Sequence, residues 1–130
     1  MTRSDPRTVV MRYNDEVWNA GRAELIREIV ADPLRRHHPG GTQTFSHDDM
    51  IRRVGEYRRR DPSFRVVARR LLCDGPFVTL IWDFFSRGEG EDVVLSSIEV
   101  FRVVDGRITE VWNPNAIAEQ YPPGPWPEFD

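Results

Sequence analysis

Apolar residues recur at helical spacing near the start of the chain. Val9, Tyr13 and Val17 lie about one helical turn apart, and the segment Ser4-Asp5-Pro6 before them offers a capping side chain and a proline suited to a first turn. Gly21 follows the last apolar position, as is typical of a helix end. The pattern predicts a first helix that begins within residues 4–6 and closes at Gly21.

The same period continues in two more segments. Apolar residues over 23–30 predict a second, short helix that Asp32-Pro33 ends. The word Ser46-His47-Asp48-Asp49 has the form of a capping box, so we expect a third helix to begin there and to stop at Asp61-Pro62. Between these two helices, "PLRRHHPGG" (33–41) predicts a short extended piece that leads into a Gly-rich loop.

Beyond residue 63 the period changes from that of a helix to that of a strand. Four segments rich in β-branched and aromatic residues follow one another: "FRVVARRLLC" (64–73), "FVTLIWDFFSR" (77–87), "DVVLSSIEVFRVV" (92–104) and "RITEVW" (107–112). Asp-Gly, Gly-Glu-Gly and Asp-Gly turns separate them and suit hairpins. Helices followed by an antiparallel meander predict an α+β fold, in which three N-terminal helices pack on a curved antiparallel sheet and leave a cleft between the two layers.

Length and composition indicate one globular domain followed by an arm. The chain has 130 residues, of which 39% are apolar and 30% charged, as in soluble domains. We expect the domain to span residues 1–120 and a Pro-rich, extended arm to span 121–130. Trp126 in that arm is hard to place in a core, and it could cap a pocket or contact a second subunit.

The charged residues exclude several classes of function. All 18 basic residues are Arg, so a Schiff-base lysine, a lysine general base and a P-loop lysine are absent. A net charge of −3 argues against a nucleic-acid binder, and no apolar run is long enough to span a bilayer. A single cysteine, Cys73, cannot form an internal disulfide. With no N-terminal signal visible, we expect a cytoplasmic protein.

Three words of the sequence carry a resemblance to a known superfamily. They are "YNDEVWNAGRAELIREIVADP" (13–33), "HHP" (37–39) and "SIEVFRVVDGRITEVW" (97–112). Together they resemble the nuclear transport factor 2-like superfamily, and within it the SnoaL-like polyketide cyclases and the ketosteroid isomerase branch, over roughly residues 7 to 120. The resemblance implies a cone of curved sheet closed by helices, a hydrophobic pocket inside it, and commonly a dimer. It implies no single activity, because members include cyclases, isomerases, dehydratases, epoxide hydrolases and non-enzymatic binders.

Glu99 is the first candidate for chemistry, because it lies in a run otherwise built for burial. Strand alternation places it on one face with Phe101 and Val103. The isomerase branch has a pocket Asp at this place, kept protonated by an apolar site. The resemblance therefore implies that Glu99 is a pocket acid that stays neutral and donates a hydrogen bond. The alternative is an exterior Glu99 paired with Arg69 or Arg70, but Phe101 on the same face favours the pocket.

Two adjacent histidines stand where the resemblance implies a pocket base. Related cyclases carry a pocket His near the position of His37 or His38, and the isomerase branch has its general base there. Neighbouring residues of an extended segment face opposite ways, so only one of them can enter a pocket, and an exposed pair remains an equal alternative. A metal site built from both with His47 is disfavoured by these opposed directions.

Tyr13 is a further catalytic candidate by resemblance. It lies on the inner stripe of the first predicted helix, near the place of a Tyr that donates to the substrate oxygen in the isomerase branch. The spacing from Tyr13 to Gly21 is one residue longer here than in that branch. The alternative is an ordinary core Tyr whose hydroxyl has a local partner.

Asp83 and Asn113 mark departures from the resembling families. The epoxide-hydrolase branch has an Asp at the place of Asp83 with an Arg two residues earlier, where this chain has Ile81. Cyclases and epoxide hydrolases usually carry Asp just after the equivalent of Trp112, where this chain has Asn113. An amide cannot be a general acid or base, although it can orient a water or a carbonyl. We therefore predict Asp83 as a catalytic candidate and Asn113 as a substrate-binding one.

The sequence leaves two functions open. The first is a cofactor-independent acid–base enzyme that cyclises or isomerises a small apolar, carbonyl-bearing metabolite, including internal opening of an epoxide to form an ether. The second is a non-catalytic ligand-binding or dimerisation module of the same fold. Both predict a small apolar ligand, a homodimer, and no metal, cofactor, nucleic acid or membrane partner. The residues predicted to contact a flat ligand are the aromatic side chains Trp18, Trp82, Phe101 and Trp112, with Asn113.

Overall fold

The computed structural model describes residues 4–87 and 92–114. Its elements in chain order are α1 (Pro6–Arg12), a π-helical segment (Tyr13–Asn19), a 3-10 turn (Ala23–Leu25), α2 (Ile26–Ile29), β1 (Val30–His38), β2 (Gly41–Phe45), α3 (His47–Arg60), β3 (Arg65–Asp74), β4 (Phe77–Arg87), β5 (Asp92–Val104) and β6 (Arg107–Trp112).

The three predicted helical regions are confirmed, and side-chain caps explain where two of them begin. Asp5 caps α1 by accepting the Thr8 N–H at 3.3 Å, and Gly21 with φ of 72° follows the π-helical segment. Ser46 and Asp49 form the predicted capping box at the start of α3, with reciprocal bonds of 3.0 and 2.9 Å. Local sequence signals therefore set where α1 and α3 begin.

The sheet is six-stranded, with the strand order β2-β1-β6-β5-β4-β3. β3, β4, β5 and β6 form the predicted antiparallel meander, and the turn Asp105-Gly106 joins β5 to β6 with φ of 51° and 77°, as a two-residue hairpin requires. The α+β class is confirmed. The expectation of a purely antiparallel sheet is corrected, because β1 pairs with β6 in the parallel direction.

The segment between α2 and α3 differs from its prediction. Residues 30–38 form a full strand in place of a short extended piece, and Asp32-Pro33 lies inside that strand and does not end the helix. Residues 41–45 form β2, where the sequence indicates only a Gly-rich loop. β2 is exposed along almost its whole length, so it carries no alternating apolar pattern by which to recognise it.

The core lies between the helices and one face of the sheet. Its fully buried side chains come from every layer: Val9, Val10, Val17, Ile26, Ile29, Val30, Leu34, Val54, Val78, Leu80, Phe101 and Ile108. The opposite sheet face is more open, and Ile98 of β5 is 39% exposed there. The two faces of β5 thus have distinct environments, and the inner one leads to the cavity described below.

Several expectations concern residues outside the described ranges. The arm over 121–130 and Trp126 lie there, so their predicted roles stay predictions. Within residues 4–87 and 92–114, no helix is both long enough and apolar enough to cross a membrane.

Candidate active site

A cavity of about 230 Å³ lies between the inner face of the sheet and the helices. Most of its lining is aliphatic or aromatic, as in typical small-molecule sites. Six of the ten residues predicted for the site line it: Tyr13, Trp18, Trp82, Glu99, Phe101 and Asn113. They come from the first helical region and from β4, β5 and the residue after β6, so distant parts of the chain meet here.

Glu99 faces the cavity because β5 alternates. Leu95, Glu99 and Phe101 line the cavity, whereas Ile98 is exposed on the other face. The Trp82 indole N–H donates to Glu99 Oε1 at 2.9 Å, reaching diagonally from the neighbouring strand. Glu99 is half-buried, and the surface that it keeps is directed at the cavity. The exterior alternative, with an Arg partner, does not describe this side chain.

Asn113 is the second polar partner of Glu99. The Ser97 hydroxyl donates to Asn113 Oδ1 at 3.2 Å, which leaves the amide NH₂ to donate to the Glu99 carboxyl. The Asn113 backbone N–H also donates to the His37 carbonyl at 3.0 Å and so fixes the chain just beyond β6. The Ser97 hydroxyl thus fixes the Asn113 side chain and the His37 carbonyl fixes its backbone, so that the amide faces the Glu99 carboxyl.

Burial raises the pKa of Glu99 above its ordinary value. The hydrogen bonds from Asn113 and Trp82 lower this pKa, as do the positive charges of Arg36 and Arg53, but desolvation is the largest effect. A carboxyl with this balance holds its proton to a higher pH than a solvated Glu. Such a group can act as an acid and, once ionised, as a base.

Tyr13 supplies a neutral hydroxyl to the same cavity. Its ring is buried and makes edge-on contacts with Trp18 and Phe101, with centroid separations of 6.3 and 5.9 Å. Desolvation and the charge of Glu99 raise the pKa of Tyr13 to about 12, against a smaller opposing effect of a side-chain hydrogen bond with Trp18. Tyr13 therefore keeps its proton over the physiological range and remains a hydrogen-bond donor.

His37 and Trp112 lie on the other side of the sheet from this cavity. The His37 ring stacks on Trp112 at 5.1 Å and bonds through Nε2 to Glu110 Oε2 at 2.8 Å and through Nδ1 to Thr42 Oγ1 at 2.8 Å. Neither His37 nor Trp112 is part of the cavity lining. Strand parity is the reason: Leu34 and Arg36 of β1 line the cavity, so His37 between Arg36 and the strand end faces away.

His38 and Asp83 also lie away from the cavity lining. His38 ends β1, and its Nδ1 lies 3.1 Å from the Pro39 carbonyl oxygen. Asp83 is buried on the outer side of β4, where its Oδ2 accepts from Arg69 Nη1 at 2.8 Å and its Oδ1 accepts from the Ser96 hydroxyl. Trp82 and Phe84 on either side of it face the cavity, so Asp83 cannot.

Three further polar residues that were not predicted line the cavity: Asn14, which donates to the Val66 carbonyl at 3.2 Å, and two arginines. Arg36 reaches the cavity from β1 and Arg53 from α3. Both could have been found from the sequence: Arg36 shares a strand face with the apolar Leu34, and Arg53 lies three residues after Met50 on the apolar stripe of α3. In the described part of the chain, no group of three or more His, Cys, Asp or Glu side chains could hold a metal ion.

Comparisons with known proteins place this geometry in a wider context. A family model described as SnoaL-like domain matches residues 10–111. Similar solved structures include wild-type IdmH of Streptomyces antibioticus, a proposed polyketide cyclase, with a TM-score of 0.71, 19% identity, and 84% of this chain and 90% of that chain covered. A SnoaL-like polyketide cyclase from Agrobacterium tumefaciens gives 0.70 at 15% identity, with 83% and 88% covered.

A third similar structure bears the name of an isomerase. A proposed ketosteroid isomerase from Kribbella flavida gives a TM-score of 0.71 at 24% identity, with 92% of this chain and 83% of that chain covered. At these identities the solved structures show a shared fold. No curated protein matches the sequence. The family model and the shared fold confirm the resemblance drawn from the sequence.

Proposed function

The chain belongs to the SnoaL-like domain family, and on that premise we propose that it is a cofactor-independent enzyme that transfers protons on a small apolar, carbonyl-bearing metabolite. Cyclisation of a polyketide-type substrate and isomerisation through an enol are the two reactions of this kind that its structural relatives suggest by name. The observation that carries the proposal is Glu99, an acid whose pKa burial raises, directed into an apolar cavity.

Glu99 is the proposed acid–base group. In its ionised form it removes a proton from the carbon next to the substrate carbonyl, and the electron pair moves to the oxygen to give an enolate. In an isomerisation the protonated Glu99 returns that proton to another carbon. In a cyclisation the enolate carbon bonds to a second carbonyl carbon, and the new alkoxide takes the proton. If the electrophile is an epoxide, the same acid protonates the oxygen that leaves carbon.

Tyr13 and Asn113 are proposed to assist this transfer. The neutral Tyr13 hydroxyl can donate to the substrate oxygen, where negative charge develops in the enolate, and such donors act strongly in a water-poor site. Asn113, held by Ser97, and Trp82 keep the Glu99 carboxyl in a fixed orientation. This arrangement gives every step to residues of the cavity and needs no contribution from His37, His38 or Asp83.

Proton exchange on a simple ketone tests the proposal without knowledge of the natural substrate. We expect the wild type to accelerate deuterium uptake next to the carbonyl of 2-tetralone, followed by NMR in D₂O. Glu99→Gln should lose this acceleration by about a hundredfold or more, because a general base contributes factors of 10²–10⁴. Tyr13→Phe should lose a smaller factor and keep the pH dependence. Glu56→Gln, on the exposed side of α3, is the matched control and should exchange as the wild type does.

Binding without catalysis is the second candidate, and Asn113 is the observation that favours it. Asn113 replaces the acid usual at that place, and among the described residues Glu99 is the sole carboxylate of the cavity lining. If the wild type binds 2-tetralone but does not accelerate exchange, and Glu99→Gln behaves identically, the binding module is the better description. The open cavity and the raised pKa of Glu99 support the enzyme.

A further inference from the structure

The cavity contains two positive charges that its proposed acid–base chemistry does not use. Arg36 and Arg53 are both half-buried lining residues, contributed by β1 and α3. Both act electrostatically on Glu99 and on Tyr13, so all four groups share one small volume. Two guanidiniums in a largely apolar cavity are costly unless something compensates them.

Arg53 is held in place by aromatic rings. Its guanidinium carbon lies 5.3 Å from the Phe45 ring centroid and 5.7 Å from the Tyr57 centroid. Such cation–π contacts use the faces of the guanidinium and leave its N–H groups, which lie in its plane, available to an acceptor. Arg53 is therefore oriented before any ligand binds.

Neither arginine has an anionic partner among the described residues. Other arginines of the fold form ion pairs, such as Arg69 with Asp83 at 2.8 Å, but Arg36 and Arg53 form none within 4–87 and 92–114, Glu99 included. The hydrogen bonds of Glu99 come from Trp82 and Asn113. Even an ionised Glu99 offsets only one of the two positive charges. The cavity therefore keeps a net charge of at least +1.

We propose that the ligand of this cavity is an apolar ring compound that carries a carboxylate, and that Arg36 and Arg53 bind this carboxylate. The inference rests on the proposed function, because it takes the ligand of this cavity to be the substrate of the same site. It adds the anionic group, which determines specificity and directs the reactive end of the substrate toward Glu99 and Tyr13. Arginine suits this role because its planar fork matches the two oxygens of a carboxylate.

The test compares two probes that differ in charge and little in shape. 2-Naphthoate carries the carboxylate, and 2-naphthamide is its neutral near-isostere. Affinities would be measured at neutral pH by quenching of tryptophan fluorescence, with isothermal titration calorimetry as the second method. We expect the wild type to bind 2-naphthoate at least about tenfold more tightly, since a hydrogen bond to a charged group contributes about 1.5–3 kcal/mol.

Two double variants separate the cavity arginines from general charge effects. In Arg36→Gln/Arg53→Gln we expect the ratio of the two affinities to fall to about one, and measurable binding of 2-naphthamide shows that the cavity is intact. Arg35→Gln/Arg52→Gln is the matched control, because it removes the same charge from neighbouring exposed positions of β1 and α3. It should keep the preference.

Three results would overturn the inference: failure of the wild type to bind 2-naphthoate, equal affinity for both probes, or a preference that survives the loss of both cavity arginines. Measuring both affinities on Glu99→Gln as well separates this inference from the proposed function, because this variant should keep the preference for 2-naphthoate while it loses deuterium exchange. A wild type that shows Glu99-dependent deuterium exchange but no preference for 2-naphthoate over 2-naphthamide rejects the anion site alone. Normal preference in a protein without Glu99-dependent exchange rejects the catalytic role alone.

Discussion

Replacing Glu99 by Gln is expected to stabilise the folded protein at neutral and alkaline pH. Because burial raises the folded-state pKa of Glu99, the folded chain keeps this proton over a pH window in which the unfolded chain, with a Glu pKa of about 4.3, has lost it. The contribution of Glu99 to the free energy of unfolding is therefore complete below the unfolded pKa and is lost as the pH rises through the folded pKa. A Gln side chain stays neutral at every pH, so its contribution to the free energy of unfolding does not change with pH.

The magnitude follows from the contacts of the carboxylate. The ionised carboxyl loses part of its hydration in the cavity, and hydrogen bonds from Trp82 and Asn113 to the charged form offset part of that cost. The charges of Arg36 and Arg53 offset a further part. Because desolvation remains the largest effect on Glu99, Glu99→Gln should gain stability on the alkaline side of the window, within the roughly 0.5–2 kcal/mol typical of a single stabilising substitution.

Urea denaturation of both proteins from about pH 4 to about pH 8 measures this gain as a difference, so that effects shared by the two chains cancel. Glu110→Gln is the matched control with the opposite sign. The hydrogen bond with His37 lowers the pKa of Glu110, so its contribution is present above the unfolded pKa and is lost as the pH falls through the folded one. Its pair is partly exposed and contributes about 1 kcal/mol at most. A Glu99→Gln difference that stays flat, or falls with pH as the control does, would refute the argument that desolvation dominates.

Two further substitutions test features outside the cavity, each by urea denaturation beside a matched control. Asp83→Asn removes a buried carboxylate that accepts from Arg69 Nη1 at 2.8 Å, and it should cost about 1.5–3 kcal/mol. Asp74→Asn at an exposed position should cost little, and equal effects would mean that the buried carboxylate contributes nothing. Gly106→Ala should lower the free energy of unfolding by about 1–2 kcal/mol, because φ is 77° and a Cβ would lie 3.1 Å from Ser4 Cβ. Its control is Gly55→Ala within α3, which should raise the free energy of unfolding by about 0.5–1 kcal/mol. A neutral Gly106→Ala would contradict the strain argument.

Features that depend on neighbouring residues could be predicted from the sequence. The Ser46–Asp49 box and the Asp105-Gly106 hairpin need no long-range contact, and both appear as expected. The direction of the Glu99 side chain follows from the alternation of β5, because Glu99 shares a strand face with Phe101, which is expected to be buried. These signals together are enough for the fold class and for the central acid of the site.

Features that depend on pairing between distant segments could not be predicted. β1 is a strand because it lies between β2 and β6, and the parallel contact with β6 joins residues more than seventy positions apart, such as Arg36 and Val111. The same pairing brings the His37 ring onto Trp112 and Glu110, contacts that no local sequence signal indicates. The role of Asp83 likewise depends on Arg69, which lies at the bulge where the pairing of β3 with β4 shifts.

The π-helical segment has a consequence for comparing this chain with its relatives. In an α-helix, residues three or four apart are neighbours, whereas the wider turn closes bonds between residues five apart, such as Ala20 N–H to the Asp15 carbonyl at 3.0 Å. Tyr13 and Trp18, five apart, therefore meet on one side. The one-residue difference in spacing from Tyr13 to Gly21 that the resemblance implies is of the size that such a wider turn accommodates, and Tyr13 lines the cavity. Sequence alignments that place a gap in this helix should treat it as a local expansion of one turn.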